Sequence, residues 1–191
     1  EVADTLSLLE QAAALGLVER LDWGFRCHTF DVSLDAGLVG ELHLTPEPET
    51  FGGACPPRLA VSWLRGRRAL SVCAELHADA FDDEPRLLAA VEEMQGWGWQ
   101  VVYADLLGSD SLGTALRLMP RLRPAYVQVD LASAARHGQD AVGRLLDAGG
   151  ENGAQTMALG VDTTARLDEA LGLGAAYGRG LLIGRACAVP R

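Results

Sequence analysis

Asp105 closes the run "VVYAD" (101–105), and the turn-like "LLGSD" (106–110) follows it. In a parallel α/β protein, a carboxylate at the C-terminal end of an apolar strand stands where active sites are built. The remaining residue inventory narrows the chemistry. The chain has no lysine, so it has no side-chain amine for Schiff-base, general-base or phosphate work. Cys27, Cys55, Cys73 and Cys187 lie far apart with no C-x-x-C spacing. That argues against a disulfide framework and against a zinc cluster of closely spaced ligands. Cys73 sits inside an apolar run and reads as a buried small hydrophobe, and the set as reduced thiols of a cytoplasmic protein. The acidic run Asp79, Asp82, Asp83 and Glu84 lacks the alternating ligands and glycine of a calcium loop. Acids before a helix complement its N-terminal dipole.

Composition bounds the partners. The 191 residues are 49% hydrophobic, which fits a single domain over 1–191 with a sizeable core. A net charge of −10 argues against nucleic acid and against a membrane surface as general partners, while leaving a local anion pocket open. No run approaches ~18 consecutive apolar residues, so no membrane insertion is expected. The opening "EVADTLSLLEQAAALGL" has no basic n-region and does not read as a signal peptide.

The elements that must position Asp105 alternate along the chain. The pattern predicts a helix over 4–16 stopped by Gly16, and one over 18–33 with Leu21, Phe25 and His28 or Thr29 on one face. A short strand (40–45) precedes a helix (56–66) opened by prolines and ended by Gly66. Strands over 69–76, 100–106, 125–131, 154–161 and 177–184 then alternate with helices over 82–98, 111–120, 132–147 and 164–174. The helix at 82–98 has an Asp cap and Pro85 near its start. The "GWGW" that closes it (96–99) reads as a helix stop whose tryptophans fill a core or an interface. Apolar strands separated by helices imply a parallel sheet buried on both faces. No G-x-G-x-x-G or P-loop follows the first strand. The count of units fits an open sheet or most of a barrel, and a complete eight-unit barrel needs roughly 200–250 residues.

Read in order, the strand ends carry a resemblance. "ELHA" (75–78), "ADLLGSDSLG" (104–113), "LMP" (118–120) and "VQVD" (127–130) resemble the E-[IL]-T-E, D-D-F-G-T-G-Y-S-S-L, L-P and K-I-D motifs of EAL-type cyclic di-GMP phosphodiesterase domains. "MALGVDTTARLDEALGLGAAYGRGLLIGRA" (157–186) is similar to that family's V-A-E-G-V-E-T and Q-G-Y-x-F-G-R-P segments, and "LHLTPEP" (42–48) to its V-N-[LI]-S-P. The match runs nearly the whole chain without the family's N-terminal E-A-L strand. It implies an α/β fold, a TIM-like (β/α) barrel of the EAL type, incomplete or modified at the N-terminus, with the chain expected to be a piece of a longer domain.

In working members, carboxylates and an amide hold divalent metals that activate a water, and a lysine helps deprotonate it. Carried over position by position, the resemblance implies a depleted site. His43 stands for the asparagine ligand, Ala78 for the second glutamate after Glu75, and Ala104 for the first of the paired aspartates that Asp105 completes. Gln128 replaces the lysine before Asp130, Leu159 and Asp162 stand in the E-G-V-E segment, and Arg179 replaces the glutamine of Q-G. A vestigial magnesium or manganese site is the most this set offers, and loss of the phosphodiesterase activity is expected.

The same positions admit other chemistry. His43, Glu75, His77 and Asp105 would fall on adjacent strand ends, and Glu75 and His77, two apart, face one side of their strand. Two imidazoles and two carboxylates suit a transition metal and a divergent hydrolase. They suit equally well rim or core histidines with polar partners, and acids paired to arginine. Arg179 fits a phosphate or carboxylate contact, or an ion pair in the barrel mouth. With Gln128 and Asp130 it makes the candidate ligand-binding set. The expected function is therefore an inactive EAL-like regulatory or adaptor domain in bacterial cyclic di-GMP signalling. Expected partners are a protein, an attached sensory or cyclase domain, or a second copy in a homodimer, for which Leu106 and Leu107 offer an interface or a filling for the barrel mouth. The alternative is a receptor that binds cyclic di-GMP without cleaving it.

Overall fold

Side chains along Ser71–Leu76 and Tyr126–Asp130 are buried on both faces, the signature of parallel strands sandwiched between layers. The computed structural model describes residues 5–185, and Cys187 lies outside them. Two helices, α1 (Thr5–Ala14) and α2 (Val18–Asp35), precede β1 (Glu41–Leu44). The chain then runs α3 (Ala60–Ala69), β2 (Ser71–Leu76), α4 (Glu84–Gly96), β3 (Gln100–Tyr103), α5 (Leu112–Leu122) and β4 (Tyr126–Asp130). It continues through α6 (Leu131–His137), α7 (Gln139–Glu151), β5 (Gln155–Leu159), α8 (Thr164–Gly172) and β6 (Tyr177–Arg179). The six strands pair in chain order, every pair parallel.

The sheet curls. Tyr126 on β4 donates its hydroxyl to Glu41 on β1 at 2.9 Å, yet the two strands are three places apart in the sheet. A flat sheet would hold them roughly 14 Å apart, since neighbours stand about 4.8 Å from one another. The strands therefore form part of a barrel wall with a concave inner face. Alternate residues divide between its two sides. Val72, Ala74, Leu76, Val101, Tyr103, Val127 and Val129 join the main core, whereas Cys73, Val102 and Tyr126 form a small inner cluster.

Outside the sheet, Trp63 of α3 organises the helical layer. Its ring meets Trp23 at 5.0 Å, Trp97 at 4.8 Å and Trp99 at 5.5 Å edge-on, and stacks on Phe30 at 5.8 Å. Such pairs add about 0.5–1.5 kcal/mol each beyond burial. The tryptophans of "GWGW" thus fill the core. Leu106 and Leu107 are buried in the main core too, so neither offers an interface.

Several element bounds differ from the sequence expectation. Helix α3 continues past Gly66 because that glycine, with no Cβ, lets Phe30 pack directly against it. The buried side of α2 is Trp23, Arg26, Cys27 and Phe30, with Phe25 exposed. Arg26 can occupy a buried position because it pairs with Asp22 and donates to Thr50 Oγ1 at 3.1 Å. The expected helix over 132–147 is two helices. Gly138 stands between them at φ 83°, ψ 160°, a conformation open to glycine alone. Pro120 lies in the last turn of α5, which closes at Arg123 in the left-handed region. The final strand is three residues long, and a turn over 181–183 replaces its expected extension.

Candidate functional site

The concave rim is built around one carboxylate. Glu75 projects from β2 beside its register neighbour β1, and both of its oxygens are engaged. Oε1 accepts from Gln128 Nε2 at 2.7 Å and meets His43 Nδ1 at 3.0 Å, while Oε2 accepts from Thr45 Oγ1 at 3.4 Å. His77, two residues on along the chain, holds Nε2 at 4.0 Å from Oε2, beyond hydrogen-bond range. Burial alone would raise the Glu75 carboxyl. The hydrogen bonds from His43 and Gln128 and the field of both imidazoles outweigh that and hold it below its ordinary range. Glu75 is therefore an ionised, buried acceptor with three donors at its two oxygens.

The other expected site residues are dispersed. Asp105 follows β3 with φ 49° and is exposed, with no hydrogen-bond or ion-pair partner among the described residues. Among the described residues it makes no hydrogen bond or ion pair to His43, Glu75 or His77. Asp130 caps α6 by accepting from Ser133 N at 2.6 Å, which is helix capping rather than ligand contact. Leu159 sits opposite Asp130 in the β4–β5 register and presents hydrocarbon. Arg179 pairs in register with Leu159. Its guanidinium is exposed and has no partner among the described residues, so the expected ion pair in the barrel mouth is absent there. Asp162 accepts from Leu181 N at 2.7 Å and fixes the turn after β6.

The sequence reading missed Thr45, Glu41 and Tyr126. The period-two spacing of Glu41 with His43 and of Tyr126 with Gln128 was the available signal, because residues two apart share a face of a strand.

A curled parallel wall with α-helices outside it is shared with solved structures. The fold is that of an EAL domain. The chain is 21% identical to the phosphodiesterase PaMucR, solved in complex with cyclic di-GMP; the match covers 95% of this chain and 76% of that one at a TM-score of 0.69. It is 14% identical to the FimX EAL domain of Xanthomonas citri, also bound to cyclic di-GMP, over 100% of this chain and 79% of that one at a TM-score of 0.74. Klebsiella pneumoniae BlrP1, in a manganese and cyclic di-GMP complex, is 18% identical over 94% of this chain and 48% of that chain at a TM-score of 0.74. No protein-family model matches the sequence, and no curated protein matches it. Among the described residues no helix is long and apolar enough to cross a membrane.

The manganese bound by such an EAL domain tests this donor set. Hard dications require several free oxygen ligands, and a two-metal site requires carboxylates that bridge them. On this rim Glu75 already accepts from an amide, an imidazole and a hydroxyl. Asp130 gives one oxygen to a helix cap, Asp105 makes no hydrogen bond or ion pair to Glu75 among the described residues, and Leu159 offers none. The residues present do not fit a manganese pair.

Proposed function

We propose that this EAL-type domain does not hydrolyse cyclic di-GMP and works in cyclic di-GMP signalling as a regulatory or adaptor module through protein contacts. The observation that carries the reading is the Gln128–Glu75 hydrogen bond. A neutral amide stands where the family places a lysine, and it binds the carboxylate that a metal would need. Gln128 has no proton to take up or release at neutral pH, so water activation by a side chain at that position is lost together with the metal. The output then passes to a protein partner, an attached sensory or cyclase domain, or a second copy.

The test is incubation of purified protein, shown to be folded, with cyclic di-GMP and Mg²⁺ or Mn²⁺, with chromatography of the linear dinucleotide. The expected result is no product above the protein-free control. Turnover abolished by Glu75→Ala would overturn the reading.

Arg179 favours a second reading, a receptor that binds without cleaving. An exposed guanidinium with no partner among the described residues is free to take a phosphate bidentately. Calorimetric titration of cyclic di-GMP distinguishes the two. Micromolar binding lost in Arg179→Ala supports the receptor, and no heat supports the adaptor.

A further inference from the structure

One layer below the rim, toward the N-terminal ends of the strands, three ligand types converge on the concave face. A Glu41 carboxylate oxygen, an imidazole nitrogen of His43 and Cys73 Sγ all lie within 4.8 Å of one another. The register explains the convergence. His43 and Cys73 are direct partners across β1 and β2, and Glu41 precedes His43 by two on the same face. We propose that Glu41, His43 and Cys73 form a binding site for a borderline-soft divalent transition metal such as zinc, with a fourth position open to water or another ligand.

Two features of the surroundings support this. The first is orientation of the imidazole. Glu75 Oε1 meets His43 Nδ1 at 3.0 Å, which fixes the ring and leaves Nε2 as the nitrogen that Glu75 does not engage. A carboxylate that fixes the tautomer of a ligating histidine is the recurrent support of zinc sites. The second is positioning of the carboxylate. Tyr126 donates to Glu41 Oε2 at 2.9 Å, which holds that side chain over the inner face and leaves Oε1 available.

Ligand chemistry selects the metal. A thiolate with an imidazole discriminates against magnesium, calcium and manganese. Tetrahedral zinc with bonds of about 2.0–2.3 Å needs its ligands roughly 3.3–3.8 Å apart, so closure takes about 1 Å. Glu41 supplies that movement by pivoting about its hydrogen bond from Tyr126. This site shares only His43 with the rim and is independent of whether cyclic di-GMP is cleaved or bound.

The test is titration of Co²⁺ into chelator-treated, folded protein, read by absorption. The expected result is one equivalent bound with a thiolate-to-cobalt charge-transfer band in the near ultraviolet, which Zn²⁺ then bleaches. Cys73→Ser abolishes the band, and Cys55→Ser leaves it. Glu41→Gln, at an exposed position that folding tolerates, weakens Co²⁺ binding at least about tenfold, and Glu75→Gln weakens it by about 10–100-fold through the lost support of His43. No charge-transfer band in folded wild-type protein, a band that survives Cys73→Ser, or Co²⁺ affinity unchanged in Glu41→Gln would each overturn the proposal.

Discussion

Gln128 of β4 donates to Glu75 of β2 at 2.7 Å, although the two strands are not neighbours in the sheet. The bond exists because the wall is curled, and it ties the curvature to the ionisation of one buried carboxylate. Replacing Gln128 by alanine leaves that carboxylate short of a strong donor in a place water reaches poorly. Hydrogen bonds to charged groups contribute about 1.5–3 kcal/mol, so Gln128→Ala is expected to lower unfolding free energy by that order. Urea denaturation with an unchanged slope measures it; a loss below about 0.5 kcal/mol would mean that His43 and Thr45 satisfy Glu75 unaided.

The same carboxylate gives a pH dependence of definite sign. Its folded pKa lies below the ordinary 4.5, so the unfolded chain takes up the proton first as the solution is acidified. The stabilisation from Glu75 is fully present above the unfolded value and disappears as pH falls through the depressed folded value. Glu75→Gln removes this contribution. The stability gap between wild type and variant is therefore expected to be widest near neutrality and to narrow on acidification. A gap that stays constant with pH would show that the variant acts through packing alone.

Much of this architecture was legible because local signals agreed with the global fold. Asp83 caps α4 by accepting from Arg86 N at 3.1 Å, with Pro85 in the first turn, as the sequence pattern required. The six strands follow from apolar runs between helical periods. What the pattern concealed depends on residues distant in the chain. Nothing local distinguishes Gly66 as a packing position from Gly66 as a helix stop, since the deciding neighbour is Phe30. The site was legible as a set of strand-end residues but not as a network. His43, Glu75 and Gln128 converge only once the sheet curls, while Asp105, the residue with the plainest local signal, stays outside. Cys73 read as a core residue from its apolar run, and its neighbourhood with Glu41 and His43 needed the β1–β2 register.

Gly66 also reverses a general expectation. Alanine in a helix interior is ordinarily better than glycine by roughly 0.5–1 kcal/mol. A Cβ at Gly66 would collide with the ring and Cβ of Phe30, a side chain that is itself fully buried. Overpacking of this kind costs about 1–3 kcal/mol. Gly66→Ala is expected to lower the Tm, and the double variant Gly66→Ala with Phe30→Leu to lose less than the sum of the singles. Additive losses would separate the two positions energetically.

Asp105 gives the converse case. It holds φ 49°, where a residue with a Cβ pays about 1–2 kcal/mol and glycine does not. Among the described residues its carboxylate has no hydrogen-bond or ion-pair partner to offset that strain. Asp105→Gly relieves the strain but adds freedom to the unfolded chain, costing back about 0.5–1 kcal/mol. The balance is expected to raise stability by up to about 1 kcal/mol, and Asp105→Ala to change it little, because alanine keeps the Cβ and with it the strain. Thermal denaturation of the three proteins places glycine first, with aspartate and alanine close together below it. If glycine were the least stable, Asp105 would have to be held by a contact its exposed position does not show, and a ligand at the strand end would be the first place to look.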